Sequence, residues 1–458
     1  MQDPFLLFHE VQPNCIDLTG RYLPASIRDQ MLRAHFAIDR LNRRQSIAGR
    51  SILVIGAGAC GVTAAIEAAR LGARVTVIDK SRSPFSLQRR ISSRWLDPTQ
   101  YDWPAEHWTH GHFPAADGAE VPLAWESGTA ARLVIKWTQK FKAAQILYGE
   151  NLKFWPSKEY KIIDLDSSDG LIGVEIANRD GTRFTQSFEY VLFYYGFGTE
   201  MTAIAEYVGI SFWGEPLEHP AWTRVGSNIL IVGGGDGALQ DFLLVTTGRS
   251  SARDIYQLVI PLYLQSNIHR IIHTAEDQAA RSSIWSDSTS YDHSVYRILE
   301  KAHIQVIEET LLNASVQDAL DRIVIRHRHV TIAHKCDHFS RAYALNRFLT
   351  LLILARFKNS GTIVRALSTT IENVQSADPL HTCNQSTSCY GFPHVVGWRS
   401  ASCTTAEGEI SSSIFTGLII RGGVKPLAKI QAKKAGVISD LEPVVPIRRQ
   451  CLPFYPCT

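Results

Sequence analysis

Two short apolar runs, each followed by a glycine-rich turn and a helix-like segment, form the strongest pattern along the chain. The runs cover residues 52–55 and 229–232, and the turns follow directly after them. A continuous apolar run that ends at a glycine is typical of a buried parallel strand. A strand, a tight turn and a helix start together present backbone N–H groups and the positive end of a helix dipole to a phosphate. The pattern therefore predicts an α/β fold with two nucleotide-binding units.

The first turn carries three glycines at the spacing of a dinucleotide-binding turn. Gly56 permits the sharp bend, Gly58 lets the backbone approach a phosphate, and Gly61 lets the helix pack closely against the strand. A second predicted strand, residues 74–78, ends in Asp79, where a carboxylate can bind the adenosine ribose. We therefore predict that these three glycines and Asp79 bind a dinucleotide. The alternative is a turn that binds nothing, with Asp79 exposed in a loop.

The second turn follows a relaxed form of the same spacing. Gly233 and Gly235 occupy the first two positions, and Ala238 takes the third because Gly237 comes one residue early. Asp236 stands at the helix start, where a carboxylate is unusual beside a phosphate but ordinary as a helix cap. We predict that Gly233, Gly235 and Ala238 bind a second dinucleotide. A purely structural turn is the alternative. The fold prediction is thus two Rossmann-type dinucleotide-binding domains in sequence.

The second domain is interrupted by a long segment of helical pattern. The next strand is predicted only at residues 329–334, and the residues before it are largely polar with helical spacing. A gap of this length is too long for a plain loop in a compact domain. We therefore predict a helical insertion at about residues 250–325.

The composition is that of a globular protein and excludes several classes of function. The 458 residues are 45% hydrophobic and 20% charged, with a net charge of +3. So small a charge gives no argument for a nucleic-acid partner. No apolar run reaches the length of a membrane span, and no basic segment follows Met1. We expect a cytoplasmic protein that acts on a small molecule without a membrane partner, and its oligomeric state is left open.

Cysteine usage narrows the chemistry further. The chain has eight cysteines but no C-x-x-C pair and no paired spacing of the kind that binds a metal. We therefore predict free thiols and no metal site. Thiol–disulfide exchange through a vicinal cysteine pair is not expected.

Two segments resemble flavoproteins with two dinucleotide-binding domains, in which an FAD domain precedes an NAD(P)H domain. Residues 232–238 read Val-Gly-Gly-Gly-Asp-Gly-Ala and look like an NADPH turn of the thioredoxin-reductase type. Residues 190–198 resemble the strand and glycine segment that returns the chain to the FAD, and are similar to the aromatic–glycine segment of flavin-dependent N-hydroxylases. The resemblance covers roughly residues 50–245.

The resemblance implies a division of the chain and a function. It implies an FAD-binding domain at 50–226 and an NAD(P)-type domain at 227–440, flanked by an N-terminal segment at 1–49 and a C-terminal tail at 441–458. We expect an FAD-dependent oxidoreductase that NADH or NADPH reduces, and a monooxygenase is favoured because a cysteine pair is absent. One alternative is a flavin oxidase or dehydrogenase with a vestigial second domain. The other is a non-enzymatic dinucleotide-binding module, since no clear T-x-x-x-x-A-x-G-D segment occurs.

The end of the strand predicted at 329–334 bears on the choice of reductant. His334 and Lys335 stand there and Arg341 follows shortly after, whereas no acidic residue occupies this end. A carboxylate would repel a 2′-phosphate, and cations attract it. We therefore predict that Lys335 contacts the cofactor and favours NADPH over NADH. A solvated basic turn is the alternative.

Two aromatic segments and three histidines complete the candidate chemistry. Residues 89–108 alternate aromatic side chains with arginines, which suits either a wall against a planar ligand or plain packing on the domain. Residues 212–222 resemble the F-x-G-x-x-x-H fingerprint of Baeyer–Villiger-type flavin monooxygenases, with one extra residue before His219, and an interdomain linker is the alternative. No catalytic base can be assigned. His107, His219 and His394 are candidates only because each lies beside aromatic or proline-rich sequence.

Overall fold

The computed structural model describes most of the chain and divides it into two compact units. The described ranges are 3–19, 26–101, 103–104, 121–164, 170–178, 180–196, 198–205, 207–214, 225–282, 293–339, 342–377, 393–400 and 411–425. The first unit holds the described residues in 3–90 and 121–198, and the second unit holds those in 91–104 and 199–425. Residues 91–104 thus belong by their contacts to the second unit, although the predicted boundaries assign them to the FAD-binding domain.

Helices and strands follow the predicted order along the chain. The helices of the described residues are α1 (Pro4–His9), α2 (Ile27–Arg44), α3 (Ala59–Arg70), α4 (Ala130–Tyr148), α5 (Asp236–Thr247), α6 (Ala252–Val259), α7 (Leu262–Ser282), α8 (His293–Thr310), α9 (Ala314–Ile323) and α10 (Ala344–Phe357). The strands are β1 (Glu10–Gln12), β2 (Cys15–Asp17), β3 (Ser51–Ile55), β4 (Arg74–Asp79), β5 (Trp95–Leu96), β6 (Gly128–Thr129), β7 (Leu152–Pro156), β8 (Lys158–Asp164), β9 (Ile172–Asn178), β10 (Arg183–Phe188), β11 (Tyr190–Phe193), β12 (Thr199–Glu200), β13 (Ala203–Ile204), β14 (Tyr207–Val208), β15 (Asn228–Val232), β16 (His329–Ala333), β17 (Ile363–Ala366), β18 (Thr369–Ser376), β19 (His394–Ser400), β20 (Ser411–Phe415), β21 (Gly417–Ile420) and β22 (Val424–Lys425).

The first unit is built on a six-stranded sheet with the order β1-β2-β11-β3-β4-β7. Strands β2, β11, β3, β4 and β7 run parallel, and β1 pairs antiparallel with β2. The apolar run of β3 is buried along four of its five residues because the strand lies between β11 and β4. Strands β8, β9 and β10 form a separate antiparallel sheet.

The second unit repeats this plan with its own sheet. Its four strands have the order β17-β16-β15-β21 and all run parallel. An antiparallel sheet of β18, β19 and β20 again precedes the last strand of the parallel sheet. Strands β15, β16, β17 and β21 therefore correspond to β3, β4, β7 and β11 in order and direction.

The long connection between β15 and β16 is helical, as predicted. After α5 the chain forms α6, α7, α8 and α9 before it returns to the sheet. Their apolar faces share one core with α5 and α10, which includes Phe242, Ile255, Ile272, Ile307 and Phe348. The predicted α/β fold of two Rossmann-type units, the second with a helical insertion, is confirmed. No helix among the described residues is both long and apolar enough to cross a membrane.

Helix starts differ in whether a side chain of the preceding residue caps them. A side-chain oxygen of the residue before the helix accepts a backbone N–H at the start of α2, α4, α6 and α9, from Ser26, Thr129, Ser251 and Asn313 respectively. Such capping satisfies N–H groups that have no partner inside the helix. By contrast, α3, α5 and α10 follow Gly58, Gly235 and Tyr343, and none of these three starts has a side-chain cap among the described residues.

Candidate dinucleotide-binding sites

Two glycines of the first turn are required by packing alone. Gly56 has φ +108, in the region that favours glycine, and a Cβ there would overlap the backbone oxygen of Tyr194. A Cβ at Gly61 would overlap the backbone oxygen of Gly56. These two positions therefore keep the strand, the turn and α3 in close contact whether or not a ligand is bound.

Gly58 has a different environment. A Cβ at this position would meet nothing within 4 Å, and its φ is an ordinary −75°. The fold itself does not require a glycine here, and the N–H groups at the uncapped start of α3 face no side-chain acceptor. Open space beside uncapped N–H groups fits a bound pyrophosphate, which would need the room that a side chain takes.

Asp79 lies at the end of β4 and holds the turn. One carboxylate oxygen accepts the backbone N–H of Ala57 at 2.6 Å, and the other accepts that of Ser81 at 2.6 Å. An ionised carboxylate has about four acceptor sites, so acceptor capacity is left for a ribose hydroxyl. The structure brings Asp79 to the three predicted glycines and adds a structural role that the sequence did not reveal.

Tyr194 and Cys60 flank the first turn with neutral groups. Tyr194 is only 4% exposed, its hydroxyl has no hydrogen-bond partner among the described residues, and burial raises the pKa of this phenol. The Cys60 thiol donates to the carbonyl oxygen of Gln30, and burial raises its pKa as well. Burial also raises the pKa of the Cys15 thiol, to about 11. Both thiols are therefore held in their unreactive protonated form.

The second turn reproduces the geometry of the first. Gly233 has φ +139, and a Cβ there would overlap the backbone oxygen of Arg421, whereas a Cβ at Gly235 would meet nothing within 4 Å. Ala238 takes the place of Gly61 and is fully buried. The three predicted residues are thus brought together, and Gly235 again stands in open space at an uncapped helix start.

Asp236 does not cap its own helix, because Gly235 is the residue before α5. Its carboxylate accepts the Tyr343 backbone N–H at 3.1 Å, the Asn346 side-chain amide at 2.7 Å and the Gln240 side-chain amide at 2.7 Å. Burial raises the pKa of Asp236. The expected capping role is therefore replaced by a link between the start of α5 and the start of α10.

His334 is the counterpart of Asp79. Each residue directly follows the β-strand residue whose carbonyl accepts the N–H of the first turn glycine, Ile78 for Gly56 and Ala333 for Gly233. His334 is 3% exposed, and its Nε2 lies 3.1 Å from Nε of Arg365. Burial first, and the Arg365 charge second, lower its pKa to about 3, so the imidazole is neutral.

The predicted cation Lys335 is exposed directly after His334. Close by, Arg365 of β17 stacks on the Phe339 ring at 3.8 Å and binds both carboxylate oxygens of Glu300, at 2.6 and 3.0 Å. Burial alone would raise the pKa of Glu300, but Arg365 lowers it. The end of β16 itself carries no acidic residue, as predicted. Glu300 of α8 comes close to it through Arg365, and the sequence around the strand gives no sign of this acid.

A buried ion cluster underlies the second turn. Asp241 of α5 pairs with Arg94 and, at 2.7 Å, with Arg421, and Arg421 also approaches Glu200 at 3.4 Å. Asp241 is fully buried and both arginines are at most 5% exposed at their side chains. The guanidinium of Arg94 lies 3.8 Å above the Phe212 ring. No motif marked this cluster, because its members come from four separate stretches of sequence.

The aromatic segment at 89–108 belongs to the second unit from Ile91 onwards, over its described part. Trp103 is 3% exposed, and its ring lies 5.3 Å from that of Tyr256 and 5.4 Å from that of Phe348. Tyr101 packs similarly against Tyr343 at 4.8 Å. Packing on a domain, the alternative given for this segment, therefore accounts for these two aromatic side chains.

The histidine candidates gain no support as catalytic bases. His394 is 1% exposed at the start of β19, with its ring edge-on to Tyr207 at 4.9 Å. His107, His219 and Arg341 lie outside the described residues. Among the residues that the structure describes, no group of three or more metal-ligating side chains occurs.

Comparison with known proteins finds that part of the first unit is similar to a flavoenzyme family. Residues 51–151, which contain the first turn and Asp79, match the family model described as FAD dependent oxidoreductase. A search of curated proteins found no significant match.

Solved structures with a similar fold have low sequence identity to this chain. Bacillithiol disulfide reductase from Bacillus cereus is 11% identical, with a TM-score of 0.41, covering 82% of this chain and 78% of its own. Thioredoxin reductase from Lactococcus lactis is 13% identical, with a TM-score of 0.38, covering 85% and 82%. Ornithine hydroxylase from Pseudomonas aeruginosa is 14% identical, with a TM-score of 0.37, covering 83% and 84%.

The family match and the pair of Rossmann-type units agree with the resemblance that the sequence predicts. The predicted resemblance to flavoproteins with two dinucleotide-binding domains is confirmed, and residues 51–151 of the first unit are similar to FAD-dependent oxidoreductases. The match supports FAD as a cofactor, in agreement with the space and the uncapped N–H groups at Gly58.

Proposed function

We propose that the protein is an FAD-dependent oxidoreductase in which NAD(P)H, bound at the second turn, reduces FAD bound at the first. The observation that carries this proposal is the pair of open glycine positions, Gly58 and Gly235, each at the uncapped start of a helix that follows a buried parallel strand. Where a Ser, Thr or Asn precedes a described helix, the side chain of that residue accepts an N–H group at the helix start.

The residues of the chain have separate roles in this proposal. N–H groups at the starts of α3 and α5 bind the two pyrophosphates, and Asp79 both fixes the first turn and accepts a ribose hydroxyl. FAD, when bound, supplies the hydride and electron chemistry. Tyr194 and Cys60 stay protonated and neutral beside the first turn. Of the three side chains described there, Asp79 is therefore the one that provides a carboxylate.

NADPH is proposed as the preferred reductant, and Lys335 as the residue that selects it. Arg365 is already paired with both oxygens of Glu300, which cancels its charge. Lys335 is exposed and has no such bidentate partner among the described residues. Selection of a 2′-phosphate over a hydroxyl therefore rests on Lys335 rather than on the nearby arginine.

A second candidate function is an FAD oxidase or dehydrogenase whose second unit binds no nucleotide. Two carboxylates favour it, because Asp236 stands in the first turn of α5 and Glu300 reaches the end of β16. A carboxylate at the start of α5 opposes a second pyrophosphate, and Glu300 takes up Arg365, which leaves one cation fewer for a 2′-phosphate.

Matched substitutions at the two open glycines test both functions. The absorbance spectrum of the purified protein should show bound flavin, and anaerobic mixing with NADPH should bleach it. Gly58→Val should abolish flavin retention in a folded protein, since the side chain fits the free fold but not the complex. Gly235→Val should keep the flavin and lose its reduction by NADPH. Flavin retained by Gly58→Val contradicts the first site, and normal reduction in Gly235→Val supports the oxidase alternative.

The reductant is tested by comparing the two nucleotides. We expect the wild-type protein to be reduced faster by NADPH than by NADH, and Lys335→Ala to lose the difference. Lys80→Ala, at the corresponding place in the first unit, is the matched control and should leave the ratio unchanged. Equal rates with both nucleotides in the wild type contradict the 2′-phosphate site.

Monooxygenation of a small organic substrate is the proposed use of the electrons. The described cysteines, Cys15, Cys60 and Cys336, are all free, so none of them forms a redox pair with another. Incubation of the NADPH-reduced protein with iodoacetamide should therefore leave NADPH oxidation in air unchanged. Full inactivation under these conditions would point to a cysteine pair and to disulfide reduction.

A further inference from the structure

Helix α4 of the first unit has an outer face that the proposed nucleotide sites do not use. The inner face of the helix is buried, with Leu133 and Trp137 among its side chains. A helix that packs by one apolar stripe usually exposes polar residues on the other side. On α4, however, Ile135, Ile146 and Leu147 are 62%, 85% and 75% exposed. Large aliphatic side chains grouped on one exposed helix face mark a surface for interaction.

The same helix carries positive charges that the fold does not neutralise. Arg132, Lys136 and Lys142 are exposed, and none of them forms an ion pair with a described residue. No acidic residue occurs within α4, whereas the other helices of similar length, α2, α7 and α8, each contain at least two. Glu150, which follows the helix, is already paired with Lys153 at 2.6 Å. The outer face of α4 therefore presents cations together with aliphatic side chains.

This combination distinguishes between the partners that could cover the helix. A second copy of this chain is a poor match, because a twofold contact would place the cations of one copy against those of the other. An acidic protein surface or a nucleic acid would pair with the cations but leave the aliphatic side chains without an apolar partner. The surface of an anionic bilayer suits both, since the headgroups attract Lys and Arg and the acyl-chain boundary accepts Ile and Leu.

We propose that the outer face of α4 binds the surface of a bilayer that contains anionic phospholipids. Ile135 and Ile146 are about three helical turns apart and so lie on the same side of the helix, which allows both to enter the bilayer with the helix parallel to its surface. The long stems of Lys136 and Lys142 let their ammonium groups reach the headgroups. The expectation of no membrane partner was based on spanning length, which a helix that lies on the surface does not need.

The proposal is tested by sedimentation of the full-length protein with lipid vesicles. One set of vesicles contains phosphatidylcholine alone, and the other an equal mixture of phosphatidylcholine and phosphatidylglycerol. We expect binding to the mixed vesicles to be tighter by about tenfold or more, and to weaken as NaCl is added. Inorganic phosphate should compete no better than NaCl of the same ionic strength. Equal binding to both vesicles, no binding to the mixed ones, or specific competition by phosphate would overturn the proposal.

Two triple variants test whether the cations of α4 are responsible. The first removes the three exposed cations of the helix: Arg132→Gln, Lys136→Gln and Lys142→Gln. The control removes three exposed cations of the second unit: Arg270→Gln, Lys301→Gln and Lys358→Gln. Lys140 is kept in both, because its Nζ donates to the carbonyl oxygen of Ala124 at 2.7 Å. The first variant should bind mixed vesicles about tenfold more weakly or worse, and the control should bind them like the wild type. Equal binding by the two variants would overturn the assignment to α4.

A last pair of variants tests the aliphatic contribution. Ile146→Gln with Leu147→Gln should weaken binding to the mixed vesicles, whereas Leu262→Gln, at a residue of the second unit that is 83% exposed, should not. The replaced side chains are exposed, so the melting temperatures should match that of the wild type. If the cation variant lost binding while the Ile146 and Leu147 variant bound normally, the face would be a purely electrostatic surface, as for an acidic protein or a nucleic acid. That result would overturn the bilayer as its partner.

Discussion

The two glycine turns have nearly the same backbone but different surroundings. Gly56 and Gly233 each have positive φ and each face the backbone oxygen of the residue after the last parallel strand. Gly58 and Gly235 each stand in open space at an uncapped helix start. Around this shared frame, Tyr194 of the first unit corresponds to Arg421 of the second.

The difference lies in how charge is distributed around each turn. The first turn meets one carboxylate, Asp79, which bonds to backbone N–H groups, and a neutral buried phenol. The second turn stands over a buried cluster of two arginines and two acids, with a neutral histidine in place of Asp79. The backbone that the two turns share therefore determines where a phosphate fits. The side chains around each turn determine which nucleotide binds.

The largest expected contrast between the turns is in stability. Arg421→Met should lower the free energy of unfolding by about 3–5 kcal/mol, because it leaves Glu200 and part of Asp241 uncompensated in a buried site. Tyr194→Phe, at the corresponding position, should leave stability unchanged or slightly higher, since the hydroxyl that it removes has no partner among the described residues. Urea unfolding of both variants gives the comparison, and similar losses would show that the two positions are equivalent after all.

The third position of each turn gives the next contrast. Gly61→Ala should destabilise the protein by about 3 kcal/mol, because the new methyl group overlaps the Gly56 carbonyl. Ala238→Gly, the reverse change in the second unit, should cost only about 1 kcal/mol from lost helix propensity. Thermal unfolding measures both. If Gly61→Ala proves as stable as the wild type, the close contact of α3 with the turn is wrong.

The ribose contact of Asp79 comes next in size. Asp79→Ala should weaken FAD binding by about 1.5–3 kcal/mol, the range for hydrogen bonds to a charged group. Asp79→Asn keeps one acceptor for the Ala57 N–H and should retain the turn while losing part of the affinity. Titration of the apoprotein with FAD distinguishes the two. Unchanged affinity in Asp79→Ala would leave Asp79 with only its structural role.

The smallest expected effect is a pH dependence that comes from His334. Its pKa is about 3 in the fold and near 6.5 otherwise. Between these values the unfolded chain binds a proton that the folded chain does not, so stability is complete above about pH 6.5 and falls towards pH 3. The slope for one such histidine is about 1.4 kcal/mol per pH unit. Urea unfolding at pH 7 and pH 5 should show a shallower decrease for His334→Gln than for the wild type, and an identical decrease would contradict the buried neutral state.

Most of the fold could be predicted because its signals are local. The apolar runs of β3 and β15 and the spacing from Gly56 to Gly61 report strand, turn and helix within a few residues. The helical insertion was predictable from the length of the gap before β16. The roles of Asp79 in the turn and of Asp236 between two helices were not, because they depend on which backbone N–H groups lie within reach.

The charged surroundings of the second turn were the least predictable part. Arg365 reaches His334 because β17 pairs with β16 in a register that places Arg365 opposite Ile332. Glu300 joins them from α8 of the insertion. Side chains that meet through strand register and helix packing over long sequence separations leave no spacing to recognise. A single sequence therefore identifies the phosphate turns more readily than the residues that select the nucleotide.

The position of the last parallel strand in each sheet has a consequence for synthesis on the ribosome. In the first unit β11 completes the sheet by pairing with β3, Val191 opposite Leu53, so every strand of that sheet has emerged once Phe193 leaves the exit tunnel. In the second unit β15 pairs with β21, with Leu230 opposite Leu418, and β21 is synthesised much later than β15. Domains generally fold as units in the order of their synthesis. The first sheet can therefore form while the chain is still growing, whereas the second stays open along one side of β15 until nearly all of the described chain has been made.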